Sequence, residues 1–169
     1  QIAWMDWKLL GAKEIVGAFH STAFPVKWTE GNADWAFDGE WEKRQAWVMQ
    51  GESKLPQYAY SKRVLFIDTE AWENPFSDMY DRAGQLWKVW LNNWSFKKEA
   101  YPGVAMKYDE DTAFLPAIIM VDIQLQHATK AALPSHRFPG ELCFYVHQGP
   151  KEGTTEDQFT IAELIGSGH

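Results

Sequence analysis

Five histidines, His20, His127, His136, His147 and His169, are the first residues to test for chemistry. None forms a His-x-x-x-His or His-Glu-x-x-His pair, the spacings that set two imidazoles on one metal, so zinc catalysis has no support. His127 and His147 fall in segments that read as strands, where a solvated or core-satisfied imidazole is the simpler reading. Gly149-Pro150-Lys151-Glu152-Gly153 lacks the phosphate-cradling spacing between a strand and a helix and reads as a turn. There is no Gly-x-Ser-x-Gly elbow to carry acyl transfer. The single cysteine, Cys143, excludes an internal disulfide and any C-x-x-C site; within Glu-Leu-Cys-Phe-Tyr-Val it reads as a small buried hydrophobe. Asp109-Glu110-Asp111 lacks the alternating ligands around a glycine that a calcium loop needs, so it reads as a solvated acidic loop. Asp122 interrupts the most apolar run, which is costly unless it faces solvent or pairs with a base such as Arg63. Lys62 and Arg63 must point to opposite faces of their strand. No metal, no cofactor and no catalytic residue is expected.

Aromatic residues carry the alternative chemistry, which is binding. Ten Trp, ten Phe and six Tyr in 169 residues are more than a core of this size requires. The candidates for an apolar binding surface are Trp47, Phe66, Trp87 and Trp90, on strands expected to lie side by side and to line a concave face. Period-two alternation puts Trp87, Val89 and Leu91 on one face and Leu86, Lys88 and Trp90 on the other, so both faces of that strand need cover.

The elements that position them are mainly strands. Ser61–Ile67, Phe76–Tyr80 and Leu86–Leu91 are rich in aromatic and β-branched residues and broken at Asp68-Thr69-Glu70 and Asp81-Arg82-Ala83-Gly84, which predicts an antiparallel meander. Gly84 suits a left-handed position in the second break. Glu40–Glu52 and Ala117–Leu125 read as further strands, Trp4–Phe24 as extended chain punctuated by glycines, 25–39 as a loop held by its aromatics, and Phe96–Pro116 as a long irregular excursion. At the end of the chain, Thr155 and Gln158 have capping-box spacing, Glu156 and Asp157 put negative charge in the first turn, and Gly166 stands as a left-handed stop. The helix so framed has an apolar face of Phe159, Ala162 and Ile165, suited to packing on the sheet. The fold class is mainly β: a curved antiparallel sheet, or incomplete β-barrel, with a short C-terminal α-helix.

A net charge of -7 and a pI near 5.2, without any Lys/Arg cluster, argue against nucleic acid and anionic membrane surfaces as partners. No run approaches the roughly 20 apolar residues of a transmembrane span. The length suits a single domain over 1–169.

Three ordered blocks carry a family resemblance: Asp6-Trp7-Lys8-Leu9-Leu10-Gly11 with Lys13-Glu14; Tyr60-Ser61-Lys62-Arg63-Val64-Leu65-Phe66-Ile67-Asp68; and Asp78-x-Tyr80-Asp81-Arg82-x-Gly84-x-Leu86-Trp87-Lys88. Together with Phe159-Thr160 before a short apolar helix, they make the chain similar to the domain-of-unknown-function family number 1329 of Gram-negative bacteria. The resemblance implies a fold like that of the outer-membrane lipoprotein-sorting proteins, a curved, unclosed antiparallel barrel whose concave face holds acyl chains under a helical lid. It implies an exported, periplasmic and outer-membrane-associated protein with no established reaction. Since family members are longer, this chain, which starts at Gln1, would correspond to roughly their C-terminal half.

The expected function is non-catalytic: binding or transfer of a lipid, an acyl chain or another hydrophobic small molecule. The rival is a structural subunit of an envelope assembly, whose apolar sheet face and open edge receive neighbouring protein chains. An enzyme of unrecognised type ranks third.

Overall fold

Runs of aromatic and β-branched residues separated by Asp- and Gly-bearing reversals favour an antiparallel meander, and the computed structural model, which describes residues 2–21, 26–33, 35–99, 108–132 and 160–166, contains one. Strands β1 (Met5–Gly17), β2 (Glu42–Ser53), β3 (Lys62–Asp68), β4 (Phe76–Tyr80), β5 (Leu86–Lys97), β6 (Thr112–Asp122) and β7 (His127–Ala132) lie side by side in chain order. Each neighbouring pair is antiparallel, and among the described residues β1 and β7 are the two edges of a sheet that does not close. The expected mainly β class and the expected succession of β3, β4 and β5 are both observed. Two compact units, Gln1–Arg137 and Phe138–His169, divide the chain, and the sheet belongs to the first.

Turn chemistry closes the meander. Asp81 Oδ1 accepts the Ala83 and Gln85 amides at 2.9 Å, and Gly84 adopts the expected left-handed φ of 79°. Asp68 works similarly at the β3–β4 reversal, accepting the Glu70 and Ala71 amides at 3.0 and 2.6 Å. That reversal forces Trp72 to a φ of 59°, where a side chain is strained.

Three element boundaries differ from the sequence reading. The excursion expected over Phe96–Pro116 is shorter, because β5 runs to Lys97 and β6 starts at Thr112. Pro116 sits inside β6 at the register shift where Asn93 pairs with Ala117 but Ser95 with Phe114, a bulge that tolerates its missing N–H. The strand expected over Ala117–Leu125 ends at Asp122, whose Oδ1 accepts the Leu125 amide at 2.9 Å and starts a tight turn; Ile123 and Leu125 are exposed there. In the second unit, helix α1 (Ile161–Gly166) is capped by Thr160, whose hydroxyl oxygen accepts the Glu163 amide at 3.2 Å. Thr155, Gln158 and Phe159 lie outside the described residues. Gly166 is the last helical residue and has no left-handed φ, so it is not the expected stop. Ile161, Ala162 and Ile165 are exposed.

The sheet is strongly curved. A Cβ on Gly17, at the end of β1, would lie 3.3 Å from Cβ of Pro75, just before β4. In a flat sheet, three strand spacings and the axial offset would separate these positions by roughly 20 Å. The chain leaving β1 then crosses the inner face, where Ala18 forms a parallel bridge to Asn93 of β5. Ala18, Val26 and Phe37 pack there on Ala117 and Ile119 of β6, with Trp28, Trp35, Leu91 and Val121 against them. The loop is held by its aromatics, as expected, through a Trp28–Phe37 bridge and stacking of Trp41 on Phe76 with ring centroids 6.4 Å apart. The inner face is therefore partly covered by this chain's own core, which leaves a hollow of about 230 Å³ bordered by Ala18, His20, Lys27, Phe37 and Asn93.

At its margin the fully buried Asp68 receives a bidentate pair of hydrogen bonds from Arg44 Nε and Nη2, both 2.8 Å. Burial alone would raise the Asp68 carboxyl, but the bonds from Arg44, Ala71 and Glu70 outweigh it and hold its pKa below the usual carboxylate range. The hydrogen bond to Asp68 raises Arg44 in turn.

Candidate hydrophobic-ligand site

The opposite, outer face is ordered by register into cross-strand rows. Trp7, Gly51, Arg63, Met79, Lys88 and Asp122 form one row, and Leu9, Met49, Leu65, Ser77, Trp90 and Met120 the next. Trp47 and Ile67 stand opposite each other in a third. Period-two alternation places all these side chains on one side of the sheet.

Across β1, β2 and β3 the rows enclose an apolar depression of about 210 Å³, walled by Trp7, Met49, Leu65 and Ile67. Gly51 creates it. A Cβ at Gly51 would stand only 2.7 Å from Trp7 Cζ3, so the missing side chain lets the indole lie against β2. Trp47, 37% exposed, and Leu9, 53% exposed, form an apolar rim. The sequence reading missed Trp7, Met49, Leu65 and Ile67; the detectable signal was a glycine within a strand, which marks close approach of another group.

The four expected aromatics do not gather in one place. Trp47 stands opposite Ile67 of the depression, and Trp90 lies in the row of Met49 and Leu65, beyond Ser77. Phe66 faces inward, edge-to-face on Phe76 at 6.4 Å, among the chain's own aromatics. Trp87 does not share a face with Val89 and Leu91 as alternation predicts. Tyr80 pairs with Leu86 but Met79 with Lys88, so Trp87 is the extra residue of a bulge. Its indole Nε1 donates to Asp122 Oδ2 at 3.0 Å on the outer side, and its ring meets Tyr60 at 5.4 Å.

Polar groups along the first row divide into paired and unpaired. Asp122 does not meet Arg63, as the sequence suggested; Trp87, Lys88 Nζ at 3.6 Å and the Leu125 amide surround it. Burial raises its carboxyl, but the bonds from Leu125 and Trp87 and the charge of Lys88 bring it net below the ordinary range. Lys62 and Arg63 do project to opposite faces. Arg63 makes no ion pair among the described residues: Nη2 contacts Met79 Sδ at 3.4 Å, its guanidinium carbon lies 5.9 Å from the Tyr60 ring centre, and its buried Nε has no partner. Ser77, diagonal to Arg63 on the same face and 2% exposed, has an Oγ without a partner.

The groups weighed for catalysis are dispersed. His20 bonds Glu42 at an inner-face margin, and His127 is exposed at the start of β7. His136, His147, His169 and Cys143 lie outside the described residues. Burial raises the Asp78 carboxyl, partly offset by the charge of Lys13, but it faces Val64 and Val89 across the inner sheet. Among the described residues no three His, Cys, Asp or Glu side chains converge on a metal position.

The family model for proteins of unknown function DUF1329 matches residues 1–164. No curated protein matches the chain. Three solved structures are similar to 75% of it: a domain of outer membrane lipoprotein-sorting type from Vibrio parahaemolyticus at 16% identity and TM-score 0.44, a DUF1329 family protein from Desulfovibrio piger at 11% and 0.43, and a LolA superfamily protein from Nitrosomonas europaea at 13% and 0.41. The chain covers 39%, 38% and 41% of them respectively, about two fifths of their length.

Proposed function

We propose, from the premise that this chain belongs to the DUF1329 family, that it is a non-catalytic protein that binds a hydrophobic molecule on the outer face of its sheet. One observation carries this reading: a depression of about 210 Å³ whose walls are the apolar side chains of Trp7, Met49, Leu65 and Ile67. An apolar cavity of about 150 Å³ accepts the six carbons of benzene, so by proportion this one accepts roughly eight carbons of an acyl chain. Each methylene moved there from water contributes about 0.8 kcal/mol. Trp47 and Trp90 extend the apolar surface beyond the depression. Trp87 and Phe66 support it from the bulge and from the inner core.

The test is a fluorescent fatty acid titrated into the purified protein, with tryptophan emission followed alongside. We expect binding in the wild type and its loss in Met49→Trp, which fills the depression from a half-buried position. Equal binding by the two proteins would sink the proposal.

A second reading has its own observation. Strand β1 is paired on one side only among the described residues, with β2, and exposes Leu9, Leu10 and Val16, a surface on which another strand could add. Native mass spectrometry separates the two, since bound lipid favours carriage and added subunits favour assembly. For the compartment we propose the periplasm near the outer membrane, following the expectation attached to the family; recovery of a tagged chain in the cytoplasmic fraction would refute it. We also treat residues 1–169 as part of a longer exported protein.

A further inference from the structure

We propose that the ligand of the outer-face depression is an anionic single-chain amphiphile, and that Arg63, assisted by Ser77, receives its head group. This rests on the reading of the depression as an acyl-chain site. Arg63 stands two residues along β3 from Leu65, one of the walls, and directly across Gly51 from Trp7, another. A head group emerging between those walls meets the guanidinium within one residue pair of the strand, roughly 7 Å.

Two observations independent of the cavity point the same way. Arg63 is a permanent cation, yet among the described residues it has no carboxylate partner, its Nε is buried without a hydrogen bond, and its one polar contact is the weakly accepting sulfur of Met79. The carboxylate in its own row, Asp122, is two strands away and already held by Trp87, Lys88 and Leu125. Ser77 adds a hydroxyl that is 2% exposed and unpaired, diagonal to Arg63 on the same face. Native proteins rarely leave two neighbouring buried polar groups unsatisfied. A carboxylate or phosphate completes both, since the guanidinium fork donates in parallel to two oxygens and the serine hydroxyl donates to a third lone pair. A neutral alcohol or ester completes neither as well, and a cationic amphiphile is repelled. The charge thus selects among ligands that the apolar walls alone accept equally.

The experiment compares decanoate, decyl phosphate and decan-1-ol, identical in chain length, by calorimetric titration of the wild-type chain, Arg63→Met and Arg63→Lys. We expect the wild type to bind the anions about tenfold or more tighter than the alcohol, in keeping with charge-assisted bonds. Arg63→Met should erase that preference while still binding decan-1-ol, and Arg63→Lys should keep part of it. The order of decanoate and decyl phosphate distinguishes a free fatty acid from a lipid phosphate as the source of the anion. Decanol binding by Arg63→Met reports that the site is intact. Should that variant fail to fold, the wild-type anion preference and its decline with added salt decide the matter. Equal affinity of the wild type for anion and alcohol, or a preference that survives in Arg63→Met, overturns the head-group assignment and leaves the apolar site standing. Absence of binding of all three to the wild type overturns both.

Discussion

Replacing Gly51 by alanine separates the wall of the depression from the stability of the sheet. A Cβ there meets Trp7 Cζ3 at 2.7 Å and Cε3 and Cη2 at 2.9 Å. Carbon atoms rest about 3.5–4.0 Å apart, so the indole must retreat by about 1 Å. Trp7 is half-buried and the close atoms belong to its ring rather than to backbone, so the overpacking cost belongs at the low end of roughly 1–3 kcal/mol. Losing glycine's freedom in the unfolded chain returns about 0.5 kcal/mol. The net destabilisation is then about 0.5 kcal/mol, a fall of on the order of 1–2 °C in thermal midpoint. Binding should suffer more. A displaced ring that denies space to two methylenes removes about 1.6 kcal/mol, or roughly 15-fold in affinity. Thermal melts followed by circular dichroism and a decan-1-ol titration on the same preparation measure both quantities. Affinity within about twofold of wild type would refute Trp7 as a wall. A fall of about 10 °C or more would show the Trp7–Gly51 contact to be part of the core.

Asp68→Asn takes a carboxylate oxygen from the Arg44 guanidinium, which keeps Glu70 Oε2 at 3.1 Å and Glu42 Oε2 at 3.8 Å, and should cost about 3 kcal/mol, the low end for a broken buried pair, a midpoint loss on the order of 10 °C. A loss under about 1 kcal/mol would show that the pair is not a structural clasp. The same carboxylate sets a pH dependence: its folded pKa lies below the unfolded value of about 3.9, so its contribution is complete above that value and disappears as pH falls through the folded one. Acid melts of the wild type should therefore show a loss, beginning below about pH 5, that is blunted in Asp68→Asn; parallel acid limbs would contradict this. Trp72→Asn should raise the midpoint by a few degrees, because φ is 59°, a left-handed angle costs a non-glycine residue about 1–2 kcal/mol, and the ring is 70% exposed. A lower midpoint would mean that the indole's contacts outweigh the strain.

Local chemistry made the meander legible. Asp68, Asp81 and Gly84 each impose a reversal through bonds or angles within a few residues of themselves, and the aromatic and β-branched runs between them admit little but strands. The boundaries that differed are those fixed by a distant partner. Pro116 survives inside β6 because a bulge opposite Asn93 and Ser95 absorbs it, and Asp122 ends its strand by turning its own carboxylate on the Leu125 amide. The faces of β5 were less legible still. Alternation through Leu86, Trp87 and Lys88 fails at one inserted residue, and a slip of one position moves a tryptophan to the other side of the sheet.

Which face of the sheet is free to bind depends on where the chain goes after β1. Nothing in the strand sequences distinguishes a face that Val26 and Phe37 cover from one they leave open, since Phe66 and Trp47 are equally apolar choices for either. The crossing of the inner face covers part of that side, because Ala18 bridges Asn93 and the loop aromatics follow. That path covers part of the concave side with the chain's own side chains, while Trp7, Met49, Leu65 and Ile67 border a depression among the outer rows. On the function proposed above, binding uses the surface opposite the expected concave face, where a glycine rather than a tryptophan makes the room. A core needs neither Gly51 beneath an indole nor an arginine without a carboxylate beside it. On the proposed reading, the first makes room for an acyl chain and the second receives its head.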